Sequence, residues 1–174
     1  MPALPGIFQT PRLTFWPFTL GDFDAFRTLD TDPDVMRYLG PGRPRTEAES
    51  KESFDRVLSQ TKQFGVGLYA AHLRGNGNFV GRAGLIQWEI DGEKLWEVGY
   101  TFAKDYWGKG LATEAAKFWA EKGFEILGVP FLVSLIHPEN KASIHVAEKN
   151  GMTFWKSAKV RDKEISVYRR SKPK

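Results

Sequence analysis

The chain has 174 residues, of which 41% are hydrophobic, 14% aromatic and 26% charged, and its formal net charge is +4. This is the composition of a globular protein, and the length favours a single domain over residues 1–174, with its core within about residues 10–170. The chain contains no cysteine, which excludes disulfides, thiolate zinc sites and a cysteine nucleophile.

The three histidines, at positions 72, 137 and 145, lack the spacing of metal ligands, so no metal site is expected. The N-terminal residues show neither a basic segment nor a long apolar run, which is against a signal peptide. No apolar run approaches the roughly 20 residues that span a bilayer. A cytoplasmic protein that does not enter the membrane is therefore expected.

A basic segment closes the chain, with eight Lys or Arg residues between Lys156 and Lys174 against Asp162 and Glu164. Such a segment suits nucleic acid, a polyanionic small molecule, or simply a solvated last strand with a frayed end. Acidic residues are scattered along the chain and a basic aromatic sheet motif is missing, so nucleic acid is the least favoured partner.

The first third of the chain reads as one strand followed by helices. The strand is predicted over residues 12–16, and helices over 20–29, 33–38 and 47–62. Thr19, Asp32 and Thr46 precede these helices and are good N-cap residues. Thr46 with Glu49 three residues on forms a capping box.

The pattern then changes to alternating strands. Strands are predicted over residues 68–73, 79–88 and 95–102, with turns at Gly75–Asn78 and Asp91–Gly92. In the third strand, alternation places Trp96, Val98, Tyr100 and Phe102 on one face and Glu97, Gly99 and Thr101 on the other.

The remaining pattern alternates helices with strands. Helices are predicted over residues 111–127 and from Asn140 to Asn150, with Gly151 ending the second. Strands are predicted over residues 131–136, 153–156 and 164–169, the first of them buried on both faces. The order predicts a mixed α/β protein with a strand–helix–strand crossover near its middle.

The segment Tyr106–Thr113, YWGKGLAT, lies between a strand and an amphipathic helix. Gly108 and Gly110 permit close backbone approach, and N–H groups at a helix start attract anions. The same spacing also suits an ordinary turn. It is neither a GxGxxG fingerprint nor a Walker loop, so a dinucleotide or P-loop site is disfavoured.

Four segments carry a resemblance to a known family. Residues 97–129 and 137–152 resemble the two halves of the acetyl-CoA site of the GNAT superfamily of N-acetyltransferases. Residues 10–40 and 64–85 resemble the ribosomal-protein N-acetyltransferase (RimJ/RimL-like) branch. The resemblance implies a three-layer GNAT fold, whose mixed, mostly antiparallel sheet of about six to seven strands is flanked by helices. It also implies acetyl-CoA as acyl donor, with no metal.

The resemblance also implies particular site residues. The pyrophosphate of acetyl-CoA is expected on the glycine loop, at Trp107, Gly108, Lys109, Gly110, Leu111, Ala112 and Thr113. The pantetheine arm is expected along Thr101, Phe102 and Ala103, with Asn140 beside the arm and Ser143 near the sulfur. Asn140 is equally a good helix cap, and Ser143 equally a solvent-facing serine of a first turn.

Direct transfer needs a neutral amine, a polarised carbonyl and a protonated leaving thiolate. Glu97 is the preferred general base, although it could instead organise a water or pair with a basic side chain. His137 is the second candidate, because it lies at the end of the next strand and histidine is a common general base in enzymes. Ser143, helped by Tyr168, is the candidate acid, and a backbone N–H near Phe102 is the candidate oxyanion donor.

The acceptor is less determined by the sequence. A protein N-terminal α-amine is the first expectation, with a polyamine, antibiotic or metabolite amine as alternatives and a CoA-binding sensor without turnover as another. The segments 41–63 and 88–94 are expected to wall the acceptor side. The nearby acidic and aromatic residues would suit a cationic amine, and an ordinary packed, solvated hairpin explains them equally well: Trp88, Glu89, Asp91, Glu93 and Trp96. A homodimer is also compatible with the many aromatic residues.

Overall fold

The computed structural model describes residues 5–174. Over this range one sheet holds eight strands: β1 (Phe8–Gln9), β2 (Leu13–Pro17), β3 (Leu68–Leu73), β4 (Phe79–Ile90), β5 (Glu93–Phe102), β6 (Phe131–Ile136), β7 (Thr153–Val160) and β8 (Lys163–Ser171). Five α-helices accompany it: α1 (Phe23–Asp30), α2 (Pro33–Met36), α3 (Glu47–Phe64), α4 (Leu111–Leu127) and α5 (Lys141–Lys149).

The strand order is β1-β2-β3-β4-β5-β6-β8-β7, and every neighbouring pair is antiparallel except β5 with β6. The parallel pair is joined through α4, which confirms the predicted crossover. The sheet has one strand more than expected, because β1 is only two residues long and too short to show alternation in the sequence.

The sheet opens between β5 and β6. Strand β5 pairs with β4 at ten positions, from Gly81 opposite Phe102 to Ile90 opposite Glu93. Its pairing with β6 is confined to Glu97 opposite Val133. Beyond this point the carboxyl-terminal halves of β5 and β6 separate, and a cavity is lined from both sides of the gap.

Helix α4 covers one face of the sheet through a cluster of aromatic side chains. Trp119 is fully buried, and its ring lies 4.7 Å from that of Tyr69, 5.4 Å from Phe15 and 5.5 Å from Phe8. The apolar side of α4 predicted from helical spacing is the buried one. This packing holds the start of α4 at the end of β5, where the glycine loop lies.

The opposite face carries α1 and α3, which pack through Phe18, Phe26 and Phe54. An ion pair joins the segment after α2 to this layer. One carboxylate oxygen of Asp30, at the end of α1, lies 3.0 Å from Arg45 of that segment and 3.1 Å from Arg82 of β4. The Asp30 side chain is fully buried. This carboxylate therefore ties α1, the sheet and the segment before α3 into one unit.

Replacing Asp30 by asparagine is expected to destabilise the protein by about 3–5 kcal/mol, since removing one partner leaves buried charge uncompensated. Urea unfolding measures the change. Asp24→Asn on the exposed face of the same helix is the control and is expected to cost less than about 1 kcal/mol. Equal losses in the two variants would contradict the importance of the buried pair.

Local signals behave as expected from the sequence. Thr46 and Glu49 make both bonds of the capping box, and α3 ends at Gly65 with a φ of 72°. Asp91 and Gly92 both have positive φ, 53° and 78°, as a tight two-residue hairpin turn requires.

The basic C-terminal segment forms the hairpin β7–β8 and packs on the rest of the protein. Arg170 contacts Glu121 and Asn150, and Arg169 lies over the rings of Phe131 and Trp155. The interpretation as a last strand therefore holds. Within residues 5–174, no helix has the length and apolar character needed to cross a membrane, and no group of three or more potential ligands is placed to hold a metal ion.

Candidate active site

A cavity of about 750 Å³ lies at the gap between β5 and β6. Its walls come from both strands, from α3, from the segment 37–45, from the start of α5 and from the turn between β7 and β8. Five of the residues predicted from the sequence line it: Glu97, Thr101, His137, Asn140 and Ser143. The fold thus brings together side chains that are up to 46 positions apart in the chain.

Glu97 lies where the two strands part. One carboxylate oxygen accepts a hydrogen bond from the Trp88 indole at 2.6 Å, and the other accepts one from the Leu135 N–H at 3.4 Å. Burial raises the pKa of Glu97 to about 7, although both hydrogen bonds act in the opposite direction. A carboxylate with this pKa can take a proton near neutral pH.

Ser143 is held from two sides. Its N–H donates to the side-chain oxygen of Asn140 at 3.2 Å, so Asn140 is the N-cap of α5 as predicted. The Tyr100 hydroxyl lies 3.0 Å from the Ser143 carbonyl oxygen and 3.1 Å from its Oγ. Burial raises the pKa of Tyr100 well above its usual range, which keeps this hydroxyl protonated.

Tyr100, and not Tyr168, is therefore the tyrosine beside Ser143. Tyr168 lies on β8, where its ring faces that of Phe154 at 6.0 Å, and it does not line the cavity. Alternation in the sequence predicts Tyr100 among the apolar residues of one face of β5. That face is correct, but the hydroxyl reaches past the apolar cluster to α5.

His137 follows β6 and faces the cavity from the far side of the gap. Its Nδ1 accepts a hydrogen bond from the Glu139 N–H at 3.1 Å, and its ring lies 5.1 Å from that of Tyr38. With Nδ1 accepting, the neutral imidazole carries its proton on Nε2, so His137 can take a proton only if this hydrogen bond breaks. The structure thus places both candidate bases, Glu97 and His137, on one cavity.

The glycine loop lies outside this cavity, at the start of α4. Gly108 and Gly110 have φ values of 72° and 77°, a conformation that favours glycine. Gly110 is the N-cap of α4, so the N–H groups that follow it have no acceptor within the helix. This geometry suits a pyrophosphate, as predicted for Trp107 to Thr113.

Two features of the loop were missed in the sequence analysis. Arg12 of the segment before β2 donates to the Lys109 carbonyl oxygen at 2.7 Å and pairs with Glu114 of α4. Thr10 donates to the same carboxylate at 2.7 Å. These residues lie about 100 positions from the loop, so no local pattern could reveal that they brace it.

The edge of β5 offers fewer unpaired backbone N–H and C=O groups for the pantetheine arm than expected. The Ala103 N–H donates to the Val80 carbonyl oxygen of β4. In an antiparallel pair, the backbone N–H and C=O groups of every second residue face the same neighbouring strand. The backbone groups of Thr101 and Ala103 therefore both face β4. Phe102 faces the gap, and its carbonyl accepts a hydrogen bond from the Trp107 indole at 2.7 Å. Backbone pairing with the pantetheine arm therefore fits the Phe102 N–H but conflicts with the sheet at Thr101 and Ala103.

The predicted acceptor wall is partly wrong. Residues of α3 and of the segment before it line the cavity, as does Trp88. Glu89, Asp91 and Glu93 do not, because β4 and β5 continue to the turn and carry these side chains away. Trp96 packs with Phe64, the last residue of α3, in the hydrophobic cluster that contains α4, and it does not line the cavity.

Comparison with known proteins decides the family. Residues 12–153 match the profile of the acetyltransferase (GNAT) domain. The chain belongs to the GNAT family. The GNAT chain is 36% identical to the uncharacterized protein YkkB of Bacillus subtilis over 145 residues, and this alignment covers 83% of each chain. It is 27% identical over 139 residues to spermidine N(1)-acetyltransferase of Escherichia coli, covering 79% of this chain and 70% of that one.

Solved structures agree on the GNAT fold. An acetyltransferase from Agrobacterium tumefaciens superposes with a TM-score of 0.84 at 31% identity, covering 99% of this chain and 98% of that one. RimL, a ribosomal L7/L12 α-N-protein acetyltransferase in complex with coenzyme A, has a TM-score of 0.76 at 14% identity, covering 95% and 98%. Aminoglycoside acetyltransferase AAC(6')-Ib in complex with coenzyme A has a TM-score of 0.73 at 19% identity, covering 91% of this chain and 94% of that one. At such identities the last two show the fold alone.

The GNAT enzyme is thus an acetyl-CoA-dependent N-acetyltransferase, as expected from the sequence. The predicted mixed sheet with helices on both faces is confirmed. The RimJ/RimL-like branch is one of several neighbours, so the acceptor follows from none of them.

Proposed function

We propose that this enzyme transfers the acetyl group of acetyl-CoA to a protein N-terminal α-amine by direct attack in a ternary complex. The observation that supports the proposal is the meeting of Glu97 and Ser143 in one cavity at the β5–β6 gap. The loop from Trp107 to Thr113 binds the pyrophosphate. Asn140 and the edge of β5 at Phe102 bind the pantetheine arm, which carries the thioester to the cavity.

Glu97 acts as general base in this proposal, directly or through one water. The amine nitrogen attacks the thioester carbon, a C–N bond forms as the C–S bond breaks, and the proton lost by nitrogen passes to the carboxylate. The Phe102 N–H polarises the carbonyl oxygen. Ser143, supported by the Tyr100 hydroxyl, gives a proton to the leaving thiolate and takes one back from water, while the proton on Glu97 returns to solvent. His137 stays the alternative base.

An α-amine suits this base better than a lysine side chain does. Its unperturbed pKa is about 8, against about 10.4 for lysine, so little free energy is needed to deprotonate it near neutral pH. A carboxylate with a pKa of about 7 is matched to that task. A small-molecule amine is the alternative acceptor, since the named relatives include a spermidine acetyltransferase. The cytoplasmic location and the homodimer expected from the sequence stay predictions.

The test combines calorimetric titration of acetyl-CoA with a thiol-release assay on peptides that have free or blocked N-termini. Micromolar donor binding and CoA release that requires a free α-amine support the proposal. Mass spectrometry then places the acetyl group on the N-terminus or on a lysine. Donor binding without turnover on free N-termini would exclude an α-amine acceptor.

Replacing Ser143 by alanine is expected to lower kcat about tenfold and to leave the KM for acetyl-CoA within about twofold, because a proton donor acts after binding. The measurement is steady-state kinetics with saturating donor. Ser157→Ala, at an exposed position of β7, is the control. If both variants keep the wild-type kcat, Ser143 has no part in protonating the thiolate.

A further inference from the structure

The cavity wall carries more positive than negative charge. Six lining side chains are basic: Arg37, Arg45, Arg56, Arg82, Arg161 and Lys163. Three are acidic: Glu97, Glu139 and Glu164. An amine acceptor is itself a cation before it loses its proton, so this excess is the reverse of what a simple polyamine site needs.

Part of the positive charge is neutralised inside the protein. Arg45 and Arg82 both pair with one oxygen of Asp30, at 3.0 and 3.1 Å. One carboxylate thus serves two guanidinium groups, and a net positive charge is left beside the cavity. The other four basic residues form no ion pair within 4.0 Å among residues 5–174.

The unpaired cations come from different elements and meet at the cavity. Arg56 belongs to α3, whereas Arg161 lies in the turn between β7 and β8 and Lys163 begins β8. Burial lowers the pKa of Arg56, and the charges of Arg161 and Arg45 lower it further, with Glu52 opposing them. Arg56, Arg161 and Lys163 are all solvent-exposed and line one cavity, so an anion placed between them would reduce the repulsion of their like charges.

The cationic group also lies next to the candidate base. The Arg161 guanidinium lies over the Trp88 ring, 5.6 Å from its centroid. The indole of the same tryptophan donates to Glu97. Lys163 is held by the carbonyl oxygen of Gly40 at 2.7 Å, which fixes its ammonium at the rim. One bound molecule can therefore reach both the carboxylate and the cations.

We infer that the acceptor carries a carboxylate or phosphate group as well as its amine, and that Arg56, Arg161 and Lys163 bind this acidic group while the amine faces Glu97. The inference rests on the proposed function and specifies its substrate class. Arginine forks bind carboxylate and phosphate with paired hydrogen bonds. The same charges repel an acceptor that carries several amines, which gives selectivity against polyamines and aminoglycosides.

The experiment compares acceptors that differ only in charge. Two peptides with the same N-terminal alanine, one with glutamate and one with lysine at the second position, test a protein N-terminus as the source of the acid. Free glutamate and phosphoethanolamine test a small molecule, and spermidine represents a polycation. We expect kcat/KM for an acidic acceptor to exceed that for the lysine peptide and for spermidine by at least about tenfold.

Two pairs of variants test the residues. Arg56→Gln and Arg161→Gln are each expected to lower kcat/KM about tenfold for acidic acceptors and to leave the acetyl-CoA Kd unchanged. Lys62→Gln on α3 and Lys159→Gln on β7 remove one exposed positive charge from the same elements outside the cavity. Equal losses in the controls would overturn the inference, because they would show only an effect of net charge.

A binding probe separates this inference from the proposed function. Glutarate, a dicarboxylate without an amine, is titrated into the wild type and into both arginine variants, with and without CoA. Binding lost in Arg56→Gln and Arg161→Gln supports the inference even if no tested acceptor turns over. Failure to bind acetyl-CoA would refute the proposed function. No arginine-dependent glutarate binding, or faster turnover of spermidine, would overturn the inference alone.

Discussion

Replacing Glu97 by glutamine is expected to lower kcat/KM by about 100- to 10,000-fold, the range typical for loss of a general base. The acetyl-CoA Kd is expected to stay within about twofold, since the carboxylate lies in the cavity and not on the glycine loop. The measurement is the pH profile of kcat/KM together with calorimetric titration of the donor. In the wild type the rate is expected to rise with pH through about 7, where Glu97 loses its proton.

The pH profile separates catalysis from a structural role of Glu97, which also holds Trp88 and the Leu135 N–H. Burial raises its pKa from the usual 4.5 to about 7. Wild-type stability is therefore expected to fall as pH rises from 4.5 to 7, and this fall is expected to vanish in Glu97→Gln. Glu89→Gln on the exposed side of β4 is the control. If Glu97→Gln keeps the wild-type kcat/KM and its rise with pH through about 7, Glu97 is excluded as the base and His137 is favoured.

Replacing Gly110 by tryptophan is expected to weaken acetyl-CoA binding by at least about 100-fold. Several loop contacts, each worth about 0.3–1 kcal/mol, are lost together when a side chain covers the N–H groups at the start of α4. The φ of 77° disfavours any side chain here, and a Cβ at this position would lie 3.4 Å from the Arg12 guanidinium that braces the loop. Calorimetric titration with acetyl-CoA measures the effect.

Gly92→Trp is a matched control for this change. Gly92 has nearly the same φ, 78°, and a Cβ there meets nothing within 4 Å. It therefore carries the backbone strain without touching the loop, and its acetyl-CoA Kd is expected to equal that of the wild type. If Gly110→Trp is folded and binds acetyl-CoA normally, the glycine loop is not the pyrophosphate site.

Local signals explain why much of the fold could be predicted. Helix α3 begins with a Thr46–Glu49 capping box, and α5 begins at Asn140 and ends before Gly151. Each of these choices depends on residues within four positions, where backbone hydrogen bonding and side-chain capping decide the outcome. The same holds for the tight turn at Asp91–Gly92 and for the left-handed glycines of the loop.

Charge and pairing across the fold were not predictable in this way. Asp30 meets Arg82 across 52 positions, and Arg12 meets Glu114 across 102. The acidic residues at the turn between β4 and β5 suggested a wall for a cationic acceptor. Strands β4 and β5 instead extend to that turn and hold these acidic side chains away from the cavity. The cavity is lined by arginines from α3 and from the β7–β8 turn.

The amino-acid sequence alone determined the element order, the helix caps, the position of the glycine loop and, through its resemblance, the GNAT family. These properties depend on short-range spacing and on motifs that are contiguous in the chain. Only the tertiary structure decided that Glu97 lies where β5 leaves β6, that the Tyr100 hydroxyl contacts Ser143, and that the cavity wall is basic. Burial and the meeting of distant side chains set these properties, and both arise only when the sheet and its helices pack.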